Sequence, residues 1–475
     1  MSKITFNSAL KWSFASELAV KAIQPVVFIV LSRLITPEDF GVMTAAMMVV
    51  AFSQIFWENG TGKALIQRQT DIMEAANAAF FINIGLGVLI TAFLVLLAQP
   101  IALIVFKDHR VTRVLQVMAL QVLIGALCSV HTSLLQKNMA FRTLFWVRFS
   151  TVTLPSLTSI PLAFYGLGYW ALVVGTIFGK IIQAVLLWKL NKWRPTFVTN
   201  MLTCIEISKF SGWVCVTGLL TWFYAWADSL IVGIYLSGHD LGIYRVGTQF
   251  ANLIIGLVFM PLIPVLFSYL STISGEPNKI IKFATKTTGI ISIMVIPLGI
   301  FLFFESNDIA KLVFGTKWNG VEIVIGFIAL AYSMSYLSTV SPEVCRAMGR
   351  PQLEFYLKII FLPVYLLVYM LSIKNGLQTF LVARLPLTIL TVIANFVILS
   401  FVIKYKPYVI LKYMIAATLI SSSVFASTLY VLKKLDLTIH LHLGLTILIN
   451  ASLLIPIFYY YGKKDGLLLS KKDIL

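Results

Sequence analysis

The feature that most constrains this chain is the recurrence, from one end to the other, of apolar runs of about 20 residues separated by short polar breaks. A bilayer core of about 30 Å is crossed by a helix of about that length, because only a helix satisfies its own backbone groups in hydrocarbon. The pattern predicts roughly 14 spans, near residues 10–34, 40–57, 77–98, 114–135, 146–165, 168–190, 211–235, 243–270, 287–304, 321–341, 355–373, 377–403, 409–431 and 440–461. The longest connection is roughly 20 residues, which leaves almost no chain for a soluble domain. With 59% hydrophobic and only 12% charged residues, a water-soluble globule is excluded.

A charged turn, LSRLITPEDFGVMTAA (Leu31 to Ala46), separates the first two runs. Pro37 stops one helix, Glu38 and Asp39 sit in the interface, and Gly41 admits the next. A similar turn returns as YLSGHDLGIYRVGTQ, Tyr235 to Gln249. Asp39-Phe40-Gly41-Val42-Met43 aligns with Asp240-Leu241-Gly242-Ile243-Tyr244 at an offset of 201 residues, each flanked by apolar spans. Both turns fall on the same expected side, so the pattern reads as a parallel repeat about an axis along the membrane normal. It predicts two six-helix lobes, 1–200 and 201–405, with two further helices and a tail in 406–475. A chance match remains the alternative, because Asp-apolar-Gly is a common way to start a helix.

The excess of cations is a topology signal. Of 37 lysines and arginines, about 24 lie in the tails and the loops on their side, and about 10 in the opposite loops. The clusters include Lys189, Lys192 and Arg194, Lys404 and Lys406, and Lys463 and Lys464. Both termini are therefore expected in the cytoplasm, and the net charge of +18 does not call for a nucleic-acid partner. The apolar run past Lys11 continues to Leu34, so it is expected to stay as span 1 rather than be cleaved as a signal peptide.

Motifs for metal, redox or nucleotide chemistry are not found. Cys128, Cys204, Cys215 and Cys345 share no ligand or redox spacing. His440 and His442 form a lone H-x-H, too few ligands for a metal. GTIFGK, Gly175 to Lys180, is one residue short of a phosphate-binding loop and is followed by Ile181. GTGK, Gly60 to Lys63, reads as a glycine-rich interfacial turn. Without a nucleotide cassette, any transport is driven by an H+ or Na+ gradient, membrane potential or a partner, and no cofactor is implied.

Three cations, Lys21, Lys180 and Arg384, fall inside spans, where a charge costs roughly 2.5–3.5 kcal/mol and faces protein or water. Polar stripes at helical spacing accompany them: Glu17, Lys21 and Gln24; Thr176, Lys180 and Gln183; Thr217, Thr221, Tyr224 and Asp228; Arg245, Gln249, Asn252 and Gly256; Arg384, Thr388, Thr391 and Asn395. Lys21, Lys180, Arg245 and Arg384 are candidate anion-binding residues, because ammonium and guanidinium groups give charge-assisted bonds to phosphate oxygens. Glu17 and Asp228 are candidates for coupling or gating, and Trp222, Tyr224 and Trp226 for stacking on sugars, with Tyr332 and Tyr336 as further platforms. The plainer readings are interhelical hydrogen bonding for the Thr, Asn and Gln residues, snorkelling for Arg245, and simple neutralisation of Lys21 by Glu17. Pro25, Pro261, Pro264, Pro297 and Pro386 interrupt apolar spans and are candidate bending points.

LSRLITPEDFGVMTAA, GTGKALIQRQ, LLQKNMAFRTLFW, GLGYWALVVG and WADSLIVGIYLSGHDLGIY, in that order and spacing, together resemble the O-antigen and polysaccharide repeat-unit flippases. The likeness is greatest to the Wzx-type, colanic-acid-exporter-like members of the polysaccharide transporter family, in the superfamily that includes MATE proteins. That resemblance implies an all-α fold of 14 transmembrane helices in two lobes around a cavity. It also implies alternating-access export of undecaprenyl-diphosphate-linked oligosaccharide across a bacterial inner membrane, with membrane lipids, a polymerase and a chain-length regulator as partners. The chain departs from the family in carrying Tyr224-Ala225-Trp226-Ala227 before Asp228, where Arg-Asn is frequent, and Glu58-Asn59-Gly60 in place of D-x-G. The competing readings are a MATE-like cation-coupled drug antiporter, expected to carry an acidic or aromatic cavity, and a polysaccharide polymerase or ligase, expected to carry a large periplasmic loop.

Overall fold

The computed structural model describes residues 12, 23–56, 60–197, 200–259, 266, 269–273, 275–404, 407–432, 434–435 and 438–464. Among these residues all regular structure is helical. Each expected span overlaps a described helix, and ten of the helices are long and apolar enough to cross a membrane. Glu17, Lys21, Pro261 and Pro264 lie outside the described residues.

The chain divides into two compact units, Met1–Arg245 and Val246–Leu475. The first contains α1 (Ile23–Leu34), α2 (Pro37–Gln54), α3 (Gly60–Gln67), α4 (Ile72–Pro100), α5 (Arg110–Met118), α6 (Leu120–Lys137), α7 (Phe141–Phe164), α8 (Tyr169–Leu190) and α9 (Met201–Tyr235). It also holds the start of α10 (Gly238–Phe259). The second contains α11 (Pro277–Phe304), α12 (Ser306–Val313), α13 (Val321–Tyr336), α14 (Val340–Ala347), α15 (Gln352–Ser372), α16 (Leu377–Ile403), α17 (Pro407–Leu432) and α18 (Ile439–Lys464).

Exposure separates the helices into two kinds. On α4, the most apolar stretch, Leu89, Phe93 and Leu96 form an uncovered stripe, and Leu96 is 77% exposed. Such a surface is stable only against lipid tails. The α5–α6 segment is mostly buried by its neighbours. Because lipid is as apolar as leucine, these helices associate through close packing and not through water exclusion.

The GTIFGK stretch shows that packing. Gly175 and Gly179 of α8 lie one turn apart, and a Cβ at either would collide with Ser159 or Pro155 of α7. The four-residue glycine spacing thus serves to admit α7.

Two sequence expectations are corrected. GTGK is not a turn: Gly60 begins α3, a short helix packed against α6 and α9. Gly60 allows Ser211 of α9 to come close and Gly62 does the same for Ser133 of α6, while helical bonding satisfies the backbone internally. The seventh span starts ten residues before the expected 211, at Met201. Asn200 caps it, its Oδ1 accepting from the Leu202 N–H at 3.0 Å. The added turns are polar because they meet polar partners: Thr203 donates to Glu74 at 2.7 Å and Glu206 pairs with Arg68 at 2.8 Å.

Candidate functional site

The two related turns meet each other. Thr36 caps α2, its Oγ1 accepting from the Asp39 N–H at 3.3 Å, and Ser237 caps α10 in the same way, accepting from the Asp240 N–H at 3.2 Å. A Cβ on Gly41 would overlap the Gly238 carbonyl, and one on Gly242 would overlap the Pro37 carbonyl. Between them Glu38 Oε1 faces His239 Nδ1 at 2.5 Å. The Gly41–Gly238 and Pro37–Gly242 contacts exchange under the 201-residue offset and Glu38 meets its own counterpart His239, so the helix starts pack with a local two-fold relation. Only glycine lets two backbones approach this closely. Burial opposes ionisation of Glu38, but its backbone N–H, His239 and Thr36 outweigh it and hold the carboxyl below its ordinary 4.5. The bridge is therefore expected to persist above the ordinary carboxylate range and to be lost as pH falls through the lowered value. Thermal melting of the unmodified chain and of Glu38→Gln against pH checks this: the unmodified chain should be the more stable above the lowered value and lose that advantage as pH falls through it.

Behind this contact, α9 and α10 hold a second group. Asp228 Oδ2 accepts from the buried Tyr244 hydroxyl at 2.7 Å, and its Oδ1 from the Ser229 N–H at 2.6 Å. The Arg245 guanidinium lies 4.0 Å from the Trp226 ring centroid, a cation–π contact that replaces water around the charge. Asp228, Trp226 and Arg245 are thus on one hairpin, with Tyr244 positioning the carboxylate. Trp222 is only 9% exposed and donates its indole N–H to the Met48 carbonyl at 3.3 Å. It packs edge-to-face on Phe52 and ties α9 to α2. Tyr224 is partly exposed.

Lys180 lines a cavity of about 240 Å³ between α3, α6 and α8. Lys63 enters from α3, Ser129, Thr132 and Gln136 from α6, and Gln183 from α8. Two ammonium groups with hydroxyl and amide groups around an open space match an anion rich in oxygen. The volume lies below the roughly 300–1,000 Å³ of sites that enclose drug-sized ligands, so it suits a charged headgroup and not a whole oligosaccharide. Lys63 does not stand out in the sequence because GTGK has the composition of an interfacial turn; the available signal is a lysine directly after glycines that let two helices close around it. Thr176, the third member of the Lys180 stripe, bonds its own helix at Leu172.

In the second unit Arg384 of α16 stacks 5.9 Å from the Tyr332 ring of α13. Thr388, Thr391 and Asn395 donate to carbonyls four residues back along α16, and Tyr365 bonds Thr391 at 2.8 Å. Most of this polar stripe is satisfied within its own helix.

Long apolar helices, paired helix starts and an open pocket lined by two lysines describe a multi-pass helical membrane protein. The chain belongs to the polysaccharide biosynthesis protein family, whose model matches residues 30–324. It is 23% identical over 328 residues to the succinoglycan biosynthesis transport protein ExoT of Rhizobium meliloti (strain 1021), covering 69% of this chain and 66% of that protein. It is 25% identical over 377 residues to the teichuronic acid biosynthesis protein TuaB of Bacillus subtilis (strain 168), covering 78% and 76%. The fold matches that of the lipid II flippase MurJ in an inward closed conformation, with a TM-score of 0.75, 15% identity, and coverage of 97% of this chain and 100% of that one.

Proposed function

We propose that the protein is a flippase that moves undecaprenyl-diphosphate-linked oligosaccharide repeat units across the bacterial inner membrane by alternating access, for surface polysaccharide assembly. The observation that carries this reading is the two-lysine cavity on a fold shared with a protein named as a lipid II flippase. The printed names of the relatives, a succinoglycan transport protein and a teichuronic acid biosynthesis protein, point to the same class of cargo. Lys63 and Lys180 would grip the diphosphate, Lys21, Arg245 and Arg384 are further candidate cations, and Glu17 and Asp228 candidate coupling groups. An H+ or Na+ gradient or the membrane potential would drive the cycle. The lobes are taken as 1–200 and 201–405, and a polymerase and chain-length regulator would receive the product.

Several features disfavour the alternatives. An antiporter for cationic drugs calls for an acidic cavity, and this one is cationic. A polymerase or ligase is expected to carry a large periplasmic loop, and the connections between the described helices are short.

Deleting the gene in its native host tests the proposal: lipid-linked repeat units should accumulate on the cytoplasmic leaflet and surface polysaccharide should fall. Unchanged surface polysaccharide would sink it. Orientation is tested separately. A cysteine at the exposed Lys192 is expected to resist impermeant thiol reagents in intact spheroplasts, and one at Asp240 to react; labelling at Lys192 reverses the assignment. Asp228→Asn is expected to slow flipping or alter its pH or voltage dependence while leaving substrate binding intact. Loss of binding would instead place Asp228 in the grip.

A further inference from the structure

The second unit contains a group of side chains that the proposed transport path does not use. Glu305 directly precedes α12 and Asp308 lies in its first turn, three residues on, so both carboxylates share a helix face. His442, in the first turn of α18, comes to meet them. Its Nδ1 is 3.4 Å from Asp308 Oδ2 and 3.6 Å from Glu305 Oε2, and one ligand atom from each of the three residues lies within 4.8 Å of the others. Glu305 is 2% exposed, and the Asp308 side chain, at 26%, leaves one side open to solvent.

The geometry points to a cation among them. The His442 Nδ1 atom is fully buried and makes no hydrogen bond, although carboxylate oxygens lie just beyond bonding distance. Separations of 3.4–3.6 Å match the edge of a tetrahedron whose ligands sit about 2.1 Å from a central metal, roughly 3.4 Å.

We infer that Glu305, Asp308 and His442 form a divalent-cation site. The imidazole nitrogen selects a first-row transition ion such as Zn²⁺ over Mg²⁺ or Ca²⁺, which prefer oxygen ligands. Three protein ligands leave one position for water. A metal here fastens the start of α18 to the α11–α12 junction, clamping the last helix to its own unit. The H-x-H pair is therefore half of a signal: its second histidine finds its partners 134 and 137 residues earlier in the chain.

Untagged full-length protein in detergent, stripped with chelator and titrated with Zn²⁺, tests the site by calorimetry and thermal melting. One tight Zn²⁺ per chain is expected, raising Tm, with Mg²⁺ unable to compete. Asp308→Asn and His442→Ala are expected to weaken Zn²⁺ binding by more than about tenfold and to abolish the rise in Tm. His440→Ala, at an exposed neighbour, should bind as the unmodified chain does. Asp308 is partly exposed, so its variant keeps the test valid if His442→Ala misfolds. No Zn²⁺ binding, or equal binding in Asp308→Asn, would overturn the inference and leave a histidine–carboxylate ion pair only.

Discussion

Gly242→Val is expected to abolish polysaccharide export in a complementation assay while the protein still reaches the membrane at normal abundance. A Cβ at this position would overlap the Pro37 carbonyl oxygen, a backbone atom that no side-chain rotation can move aside. The helix starts must therefore separate, and overpacking of this kind costs about 1–3 kcal/mol. That shifts the population of the closed contact by roughly 5- to 150-fold, since 1.4 kcal/mol is tenfold in an equilibrium. Helix propensity cannot account for a loss at this position, because replacing a helical glycine with a side chain ordinarily favours the helix. Gly41→Val meets the Gly238 carbonyl in the reciprocal contact and should match it. Gly85 of α4 has open space where its Cβ would be, so Gly85→Ala should export normally. Normal export by both Gly242→Val and Gly41→Val would show that the close approach is dispensable.

The second large effect is expected from the cavity. Lys63→Ala and Lys180→Ala should each lower export by about tenfold or more, because a hydrogen bond to a charged group contributes about 1.5–3 kcal/mol, and the double variant should be inactive. Lys180→Arg should retain part of the activity, since the charge remains but the planar fork replaces a point charge. Arg384→Ala and Lys21→Ala provide the comparison: if they abolish export while the cavity double variant keeps it, the anion is held by those cations instead. Measuring protein abundance beside export separates loss of function from loss of folding.

Much of the fold was legible in the sequence because a bilayer imposes one rule on every crossing. A run such as Ile72–Val105 needs no partner to declare itself, as its length and apolarity suffice. The paired turns were also legible, since Asp39-x-Gly41 and Asp240-x-Gly242 repeat both composition and spacing; that they touch was not, because contact depends on how the hairpins pack. Lys180 was found because a charge inside an apolar run is costly wherever it faces. Lys63 was hidden, since helix α3 is too short and too polar for a periodicity argument and its glycines read as a turn. Trp222 resembled a sugar platform by type, but its burial against Met48 and Phe52 is a tertiary fact that no local pattern encodes. The Glu305, Asp308 and His442 group was beyond reach for the same reason, as its members are brought together by helix packing over more than a hundred residues.

The central claim is that the Lys63 and Lys180 cavity grips the diphosphate of a lipid-linked glycan during its passage across the membrane. The most direct measurement is flipping of fluorescent undecaprenyl-diphosphate oligosaccharide by purified protein in proteoliposomes, read by a membrane-impermeant quencher or glycosidase. The account predicts transfer between leaflets above the protein-free rate, abolished by Lys63→Ala with Lys180→Ala and competed by inorganic diphosphate. Transfer that is unchanged in the double variant, or no transfer by a protein that instead moves cationic drugs down a coupled ion gradient, would contradict it.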